Sequence, residues 1–397
     1  MATPDVLIVG AGPAGAIAGL VAARAGARVL IVDRAAFPRD KLCGDTVNPG
    51  ALAVLRRLGV SGEVESRGLR VDGMIVTGAG GARVVGRYPR GLSGRAIVRS
   101  DLDAILLRAA IAAGCGFEAG VTVSSPLLEE SDGRSAVTGV RVATPTRVSS
   151  MNARVVIAAD GRRSTLGFGL GLVRHPARPR RWAIGAYFAD VGAQAPGESV
   201  DAASAVGEMH IRAGAYIGVA PVPGGLTNVC VVRPSFAADA ALRDPTRLVE
   251  QTIAADPILR ARLAHGTMVT TPVVLGPLAV EPTARPPFDG LLLAGDAAGF
   301  VDPMTGDGLH FAIRGGELAA VAALEALASG WADVHRRHAE LRRAAFGGKR
   351  RFNRALRAIV SSPAAIRCGV VAAHVAPAAL RAIIARAGDC RVAASPA

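Results

Sequence analysis

Along the first third of the chain, apolar residues come in solid blocks. VLIVG (Val6–Gly10) and RVLIVD (Arg28–Asp33) flank AIAGLVAARAG, and all three are rich in Ala, Val, Ile and Leu. Two wholly apolar strands joined through a helix predict a βαβ unit with buried, parallel strands. NPGALAVLRRLG predicts a second helix, with Pro49 in its first turn and Gly59 as its stop. Residues 70–90 switch to short β-like runs broken by glycine. RSDLDAILLRAAIAAG predicts a helix capped by Ser100 and closed by Gly114. Strands resume in VTVSSPL, GVRVAT and ARVVIAADG.

The texture changes from about residue 171 to 280. WAIGAYFADV, EMHIRAGAYIGVAPV and LTNVCVVR predict antiparallel strands of a second sheet, separated by glycine and proline turns. TRLVEQTIAADPILRARLAHG is helical with a break at Pro257. GLLLAGD predicts another buried strand and DGLHFAIRGGELAAVAALEAL a long helix. From Trp331 the chain is helical, basic and alanine-rich. No repeat or low-complexity linker divides it, so two interleaved domains are expected.

At 397 residues, with 50% hydrophobic and 20% charged, the chain is a packed globular protein. The net charge of +14 raises the question of nucleic acid. Lys41 and Lys349 are the only lysines, and the arginines are scattered except near the C-terminus, so no nucleic-acid partner is expected. A basic surface still favours anionic cofactors. The stretch HRRHAELRRAAFGGKRRFNRALR reads as a solvated helix face, with peripheral contact to acidic lipid as the alternative. Five widely spaced cysteines without a C-x-x-C predict neither a disulfide framework nor a metal site, and fit a reducing, cytoplasmic setting. The N-terminal apolar run has no basic residues before it and reads as a strand rather than a signal peptide. No apolar run is long enough for a membrane span.

Gly10-x-Gly12-x-x-Gly15 follows a strand and opens a helix, with Pro13 and Ala14 in the variable positions. That context makes the first glycine the tight turn, the second the backbone approach to a pyrophosphate, and the third a helix–strand contact. Asp33, followed by Arg34, ends the next strand where a carboxylate can meet a ribose. Two further strand ends carry glycine–acid pairs, Asp160-Gly161 and Gly295-Asp296. The segment Thr305-Gly306-Asp307-Gly308-Leu309 starts a helix whose N-terminus can stabilise an anion. Three such sites fit a large dinucleotide held along its whole length. FPRDKLCGD (Phe37–Asp45) leaves three readings open: a reactive thiol at Cys43 tuned by Arg39 and Lys41, a cofactor contact, or a small buried residue beside a Gly44 turn. His210 and Tyr216 lie on strands of the second sheet, and either can face a substrate. His310 reads as structural, and Asp302-Pro303 as a loop suited to proton handling.

The order of GxGxxG…Asp, IVRSDLDAIL, AADGRRS and LLAGDAAGFVDPMTGDGLHFA resembles the FAD-dependent group that includes aromatic hydroxylases and geranylgeranyl reductases, over roughly residues 1–330. FPRDKLCGD before NPGALAVLRRLG is most similar to the geranylgeranyl-reductase branch. The resemblance implies an α/β fold: a Rossmann-type FAD-binding domain (1–70, 95–170 and 281–330), an inserted antiparallel β-sheet substrate domain (71–94 and 171–280), and a helical C-terminal region (331–397). It implies that Gly10, Gly12, Gly15 and Asp33 hold the ADP half, that Arg99 and Val123 lie along the cofactor, and that Asp160-Gly161 matches a motif linked to FAD and NAD(P)H. Asp296 then holds the ribityl chain and Thr305 to Gly308 back the pyrimidine edge. Gly44 lets the chain pass close to the isoalloxazine, Arg39 and Lys41 lie near negative cofactor groups, and Cys43 becomes a wall of the reaction site. The catalytic candidates become Cys43, Gly44, Pro303, His210 and Tyr216.

Some positions depart from the group. Thr305-Gly306-Asp307-Gly308 has Asp where relatives commonly carry Glu or Gln. AYIGVAPVPGGLTNV keeps only Tyr216 and Pro221 of the Tyr-x-Trp-x-Phe-Pro pattern of prenyl reductases. Flavin halogenases carry a Trp-x-Trp-x-Ile-Pro stretch and an internal lysine; here Trp182 is isolated and no lysine lies between residues 42 and 348. The expected protein is therefore an FAD enzyme using NADPH or NADH, with an apolar small-molecule substrate between flavin and sheet. The FPRDKLCGD motif favours the reductase branch, while the lost aromatic pattern favours a different substrate and leaves oxygenation open. The expected reaction is that of a monooxygenase that uses O2, through a flavin hydroperoxide, to hydroxylate or epoxidise a natural-product-like molecule. Reduction of an isoprenoid or other C=C bond is the alternative, and a non-catalytic flavin-binding protein the remote one.

Overall fold

The computed structural model describes residues 3–78, 83–89, 91–131, 134–145, 147–177, 180–192, 204–300, 303–361 and 377–390. The apolar blocks form a five-stranded sheet in the order Leu291–Leu293, Val155–Ala158, Val6–Val9, Val29–Asp33 and Gly116–Ala119. Every neighbouring pair in it is parallel. Helices α1 (Pro13–Arg24), α2 (Arg99–Ala112) and α3 (Gly308–Ser329) bury one face of this sheet around Ile8, Ile17, Leu20, Ile31, Leu106 and Ile313. Helices α1 and α3 touch so closely that a Cβ on Gly316 would lie 2.1 Å from the Ala14 carbonyl oxygen. A three-stranded antiparallel sheet (Thr122–Ser131, Arg134–Ala143 and Val148–Asn152) supplies the apolar cover on the other face.

The second sheet has ten strands among the described residues. Its centre is the antiparallel run Arg181–Ala189, Leu226–Pro234, Ala215–Val222 and Ser204–Arg212. One join departs from the expected antiparallel pattern: Ser204–Arg212 pairs in parallel with Leu69–Thr77. Hairpins force consecutive strands to run antiparallel, but these two strands come from separate insertions, and the intervening chain passes through the nucleotide domain. One face of the sheet is covered by the helices Pro245–Ala255 and Pro257–Arg262, packed on Ile184, Ile217, Val219 and Val231. Asp256 caps the second of these by accepting from the Ile258 and Leu259 amides, which is how the Pro257 break is accommodated.

Helix α2 begins at Arg99, with Val98 as its extended cap, so Ser100 lies in the first turn and does not cap it. The guanidinium of Arg99 instead reaches one turn forward to Asp103, with both contacts at 2.7 Å. At the C-terminal end, α4 (Val334–Ser361) packs along α3, and α5 (Pro377–Ala387) packs on the Arg83–Arg87 strand. No described helix is long and apolar enough to cross a membrane.

Candidate functional site

A cavity of about 760 Å³ runs from the Gly10–Ala14 loop to the inner face of the second sheet. At its nucleotide end the glycines are required by geometry. Gly10 has φ +101°, and a Cβ there would lie 2.6 Å from the Ala159 carbonyl oxygen; a Cβ on Gly15 would lie 1.8 Å from the Gly10 carbonyl oxygen. Gly12 meets nothing closer than an Arg39 nitrogen at 3.5 Å, so its backbone stays open to the cavity. Asp33 braces this loop: its two oxygens accept from the amides of Ala11 (2.8 Å) and Ala35 (2.9 Å). A doubly bonded carboxylate still has lone pairs for a ribose hydroxyl. This is a cradle for a pyrophosphate at the start of α1.

Farther in, cations and acids line the cavity together. Arg39, Lys41, Arg99, Arg162, Arg163, Asp160 and Asp296 all border it. Burial pushes the Asp296 carboxyl up, opposed by the nearby charges of Lys41, Arg99 and Arg162. Burial works against the charge of Arg99 as well, but the Asp103 carboxylate outweighs it and the guanidinium is held firmly cationic. Arg39 reaches the same Asp103 at 3.3 Å and stacks over Phe37. Asp160 accepts from the Thr165 amide through one oxygen, while its other oxygen is buried with no partner among the described residues. Arg162 and Arg163 donate to the carbonyls of Pro277 and Gly276, tying the Asp160-Gly161 turn to the second sheet.

The Phe37–Asp45 stretch forms the wall between the two sheets. Burial pushes the Cys43 thiol up, with Arg99 and the Asp45 amide only partly opposing it, so the sulfur keeps its proton. This works against the thiolate reading, since desolvation outweighs the neighbouring cations. Asp45 is fully buried, and its Oδ2 accepts from Tyr187 Oη at 2.6 Å and Asn228 Nδ2 at 2.5 Å. Its Oδ1 has no partner among the described residues. Burial raises this carboxyl to about 6 despite the two hydrogen bonds. Asn228 also donates to the Cys43 carbonyl, which fixes the acid behind the thiol.

The sheet supplies the apolar end. Tyr216, Gly218 and Ala220, alternate residues of one strand, all line the cavity, and no atom lies within 4 Å of where a Gly218 Cβ would stand. These are the positions of the aromatic pattern that the sequence lacks; a glycine and an alanine stand for two of its three large rings, and the glycine leaves open space. His210 does not line the cavity. It is buried on the other side of the sheet, with Nδ1 2.9 Å from the Thr77 hydroxyl and Nε2 3.3 Å from Glu208. As a substrate-facing candidate it is corrected to a residue buried on the helix-covered face and hydrogen-bonded to Thr77.

Thr305, Gly306, Gly308 and Leu309 reach the cavity, as do Pro13, Arg34, Gly44, Val123 and Gly161. Asp307, expected among the cofactor contacts, turns away from it. It is buried against Lys349 (2.9 Å), Asn353 (2.9 Å) and the Thr305 hydroxyl. Lys349 also reaches Asp389 (3.2 Å) and the carbonyls of Arg386 and Ala387 (2.6 and 2.7 Å). One lysine thus clamps the C-terminal helices to the loop that begins α3. Gly15 and Gly295 support the loops from beneath and do not border the cavity. Pro303 sits in a short 3-10 turn before α3; Asp302 lies outside the described residues. His310 is buried, and desolvation lowers it to about 4, which keeps it neutral and structural. Sequence reasoning missed Asp45, Tyr187, Asn228 and Asp103. Only Asp45 carried a signal, as the acid closing the Phe37–Asp45 stretch.

A pyrophosphate cradle at one end, a ring of buried charge in the middle and an apolar sheet at the other suit an elongated dinucleotide with a redox-active head. Known proteins agree. A menaquinone reductase from Mycolicibacterium smegmatis is 34% identical over 330 residues, covering 80% of this chain and 75% of that protein. A digeranylgeranylglycerophospholipid reductase from Methanopyrus kandleri is 30% identical over 325 residues, covering 81% and 77%. Among solved structures, a flavin-dependent brominase superposes with a TM-score of 0.82 at 20% identity, covering 98% of this chain and 94% of that one. A geranylgeranyl bacteriochlorophyll reductase-like protein from Thermoplasma acidophilum gives 0.74 at 22% identity, covering 98% and 92%. At those identities the structures speak for the fold alone. The profile described as FAD binding domain matches residues 3–344, so this chain belongs to that family and is an FAD-dependent oxidoreductase.

Proposed function

We propose that the protein reduces a C=C bond in an apolar, isoprenoid-like substrate, with NADPH or NADH as the source of hydride. The observation that carries this reading is the neutral Cys43 thiol at the junction of the charged and apolar ends, backed by the buried Asp45–Tyr187–Asn228 group. The two relatives above, both named as reductases and similar along most of their length, support a reductase.

The residues present fit FAD. Gly10, Gly12 and Ala14 would hold the pyrophosphate, Asp33 the ribose, Asp296 the ribityl chain, and Thr305 to Gly308 the pyrimidine edge. Bound there, FAD supplies the hydride relay between nicotinamide and substrate. Saturating an alkene also takes a proton. Cys43 holds one at its sulfur, facing the cavity, and the thiolate left after its transfer meets the Arg99 guanidinium and the Asp45 amide. Asp45, half-protonated near pH 6, stores a second proton directly behind. The cavity's apolar wall (Ala183, Tyr216, Val232, Leu275 and Leu278) excludes water from the transfer.

One observation favours a second reading, oxygenation with O2: Gly218 and Ala220 leave room for a substrate bulkier than a prenyl chain. Mass analysis separates the two. FAD-loaded protein is incubated with NADPH and a polyprenyl quinone, with and without oxygen. A product that, after reoxidation of its quinone head, is still heavier by two hydrogens in the prenyl chain and forms anaerobically supports reduction; a product that needs oxygen and gains one oxygen atom would overturn it.

A further inference from the structure

A second cavity, of about 520 Å³, lies on the far side of the Gly295–Ala298 turn, between α4 and the segment 282–293. Five arginines of one face of α4 line it: Arg342, Arg343, Arg350, Arg351 and Arg354. Arg285 stands across from them, stacked over Phe288. The lining contains no Asp or Glu among the described residues, and none of these six arginines has a carboxylate partner there. Asp289 lies 3.4 Å from His335 on the rim.

Two groups inside are left unsatisfied. His338 is 8% exposed, and its Nε2 is buried without a partner among the described residues. Arg342 donates from Nη2 to the Ala298 carbonyl (3.3 Å), but its Nη1 is likewise buried without one. Burial, then the charge of Arg350, lowers Arg342 to about 9; burial, then Arg342, lowers His338 to about 3. A solvated helix face would leave its donors in water and its like charges apart. Here, an orphan guanidinium donor, an orphan imidazole nitrogen and mutually repelling cations are gathered in a concave, carboxylate-free space, and Gly347 keeps the middle of the helix face clear. The volume is that of a small-molecule site.

We propose that this cavity is a phosphate site, separate from the dinucleotide cavity, that binds a phosphate or pyrophosphate group through the α4 arginines and Arg285. A phosphate gives Arg342 Nη1 an acceptor and neutralises the cluster, and the guanidinium fork matches its oxygens. The group can belong to a soluble phosphate ester or to a lipid headgroup.

The test uses full-chain, FAD-loaded protein, so that the cofactor's own pyrophosphate cradle is filled. Inorganic pyrophosphate and ADP are titrated calorimetrically at constant ionic strength, against chloride. In parallel, the protein is sedimented with phosphatidylglycerol and with phosphatidylcholine vesicles. The variants are Arg342→Gln and, for a change that leaves the interior untouched, the exposed pair Arg351→Gln with Arg354→Gln. Saturable binding of pyrophosphate or ADP, weakened about ten-fold or more in both variants, supports a soluble ligand. Binding confined to phosphatidylglycerol vesicles and lost in both variants supports a headgroup. Absence of binding in both arms, or binding unchanged by both variants, overturns the proposal.

Discussion

Asp45→Asn is the most informative single substitution. Asp45 has φ 50°, in the left-handed region that Asn tolerates as well as Asp, so the backbone accepts the exchange. The new carbonyl oxygen can take the place of Oδ2 and accept from Tyr187 and Asn228, while the amide fills the position of Oδ1. What disappears is the titration. The folded carboxyl sits at about 6 against an ordinary value of 3.8. Between those values the folded state holds a proton that the unfolded state has released, so stability falls as pH rises through the window. Ionising the buried carboxyl therefore costs roughly 3 kcal/mol, absent below the ordinary value and complete above pH 6. Urea unfolding of FAD-loaded protein across this range measures it. The stability difference, variant minus wild type, should grow by about 3 kcal/mol between about pH 3 and pH 7 and then stay flat. A pH-independent difference would refute the burial argument and the proton store with it. Wild-type turnover should decline above about pH 6 as Asp45 loses its proton, and the variant should lack that decline.

Lys349→Met leaves Asp307 and Asp389 buried without their cation, and should cost about 3–5 kcal/mol in urea unfolding and weaken FAD retention; a cost under about 1 kcal/mol would mean that the clamp is not structural. Gly218→Trp refills the open position on the sheet strand, and should raise KM for a bulky quinone about ten-fold or more while FAD content stays unchanged. Cys43→Ser replaces the acid with a far weaker one and should lower kcat about 10²–10⁴-fold without loss of FAD; loss of FAD instead would return Cys43 to a packing role.

What could be read from the chain follows from what is local. The Gly10–Gly15 turn, its flanking strands and the strand-end acids are set by neighbours within a few residues, and the structure places them as the spacing implies. Strand parity needs one fixed point before it says which face is which. Tyr216 and His210 lie on adjacent strands of one hairpin, yet Tyr216 falls on the cavity side and His210 on the helix-covered side. The proton store was out of reach for a different reason: Tyr187 and Asn228 are 142 and 183 positions from Asp45, and only the folded sheet brings them together. Lys349 stood out as one of two lysines, but its target, Asp307, was assigned to the cofactor because the sequence shows no C-terminal helix folding back over α3. The parallel join between Leu69–Thr77 and Ser204–Arg212 was likewise hidden, since it depends on two insertions meeting in space.

The account stands on a proton delivered from Cys43 and a hydride delivered through FAD to the two carbons of one alkene. The direct measurement is an anaerobic single turnover with unlabelled NADPH in D2O, followed by mass and NMR analysis of the product. The account predicts a saturated bond with one deuterium, on the carbon that accepts the proton. Product that forms only with oxygen, carries an oxygen atom from O2 and gains no deuterium at carbon would contradict it.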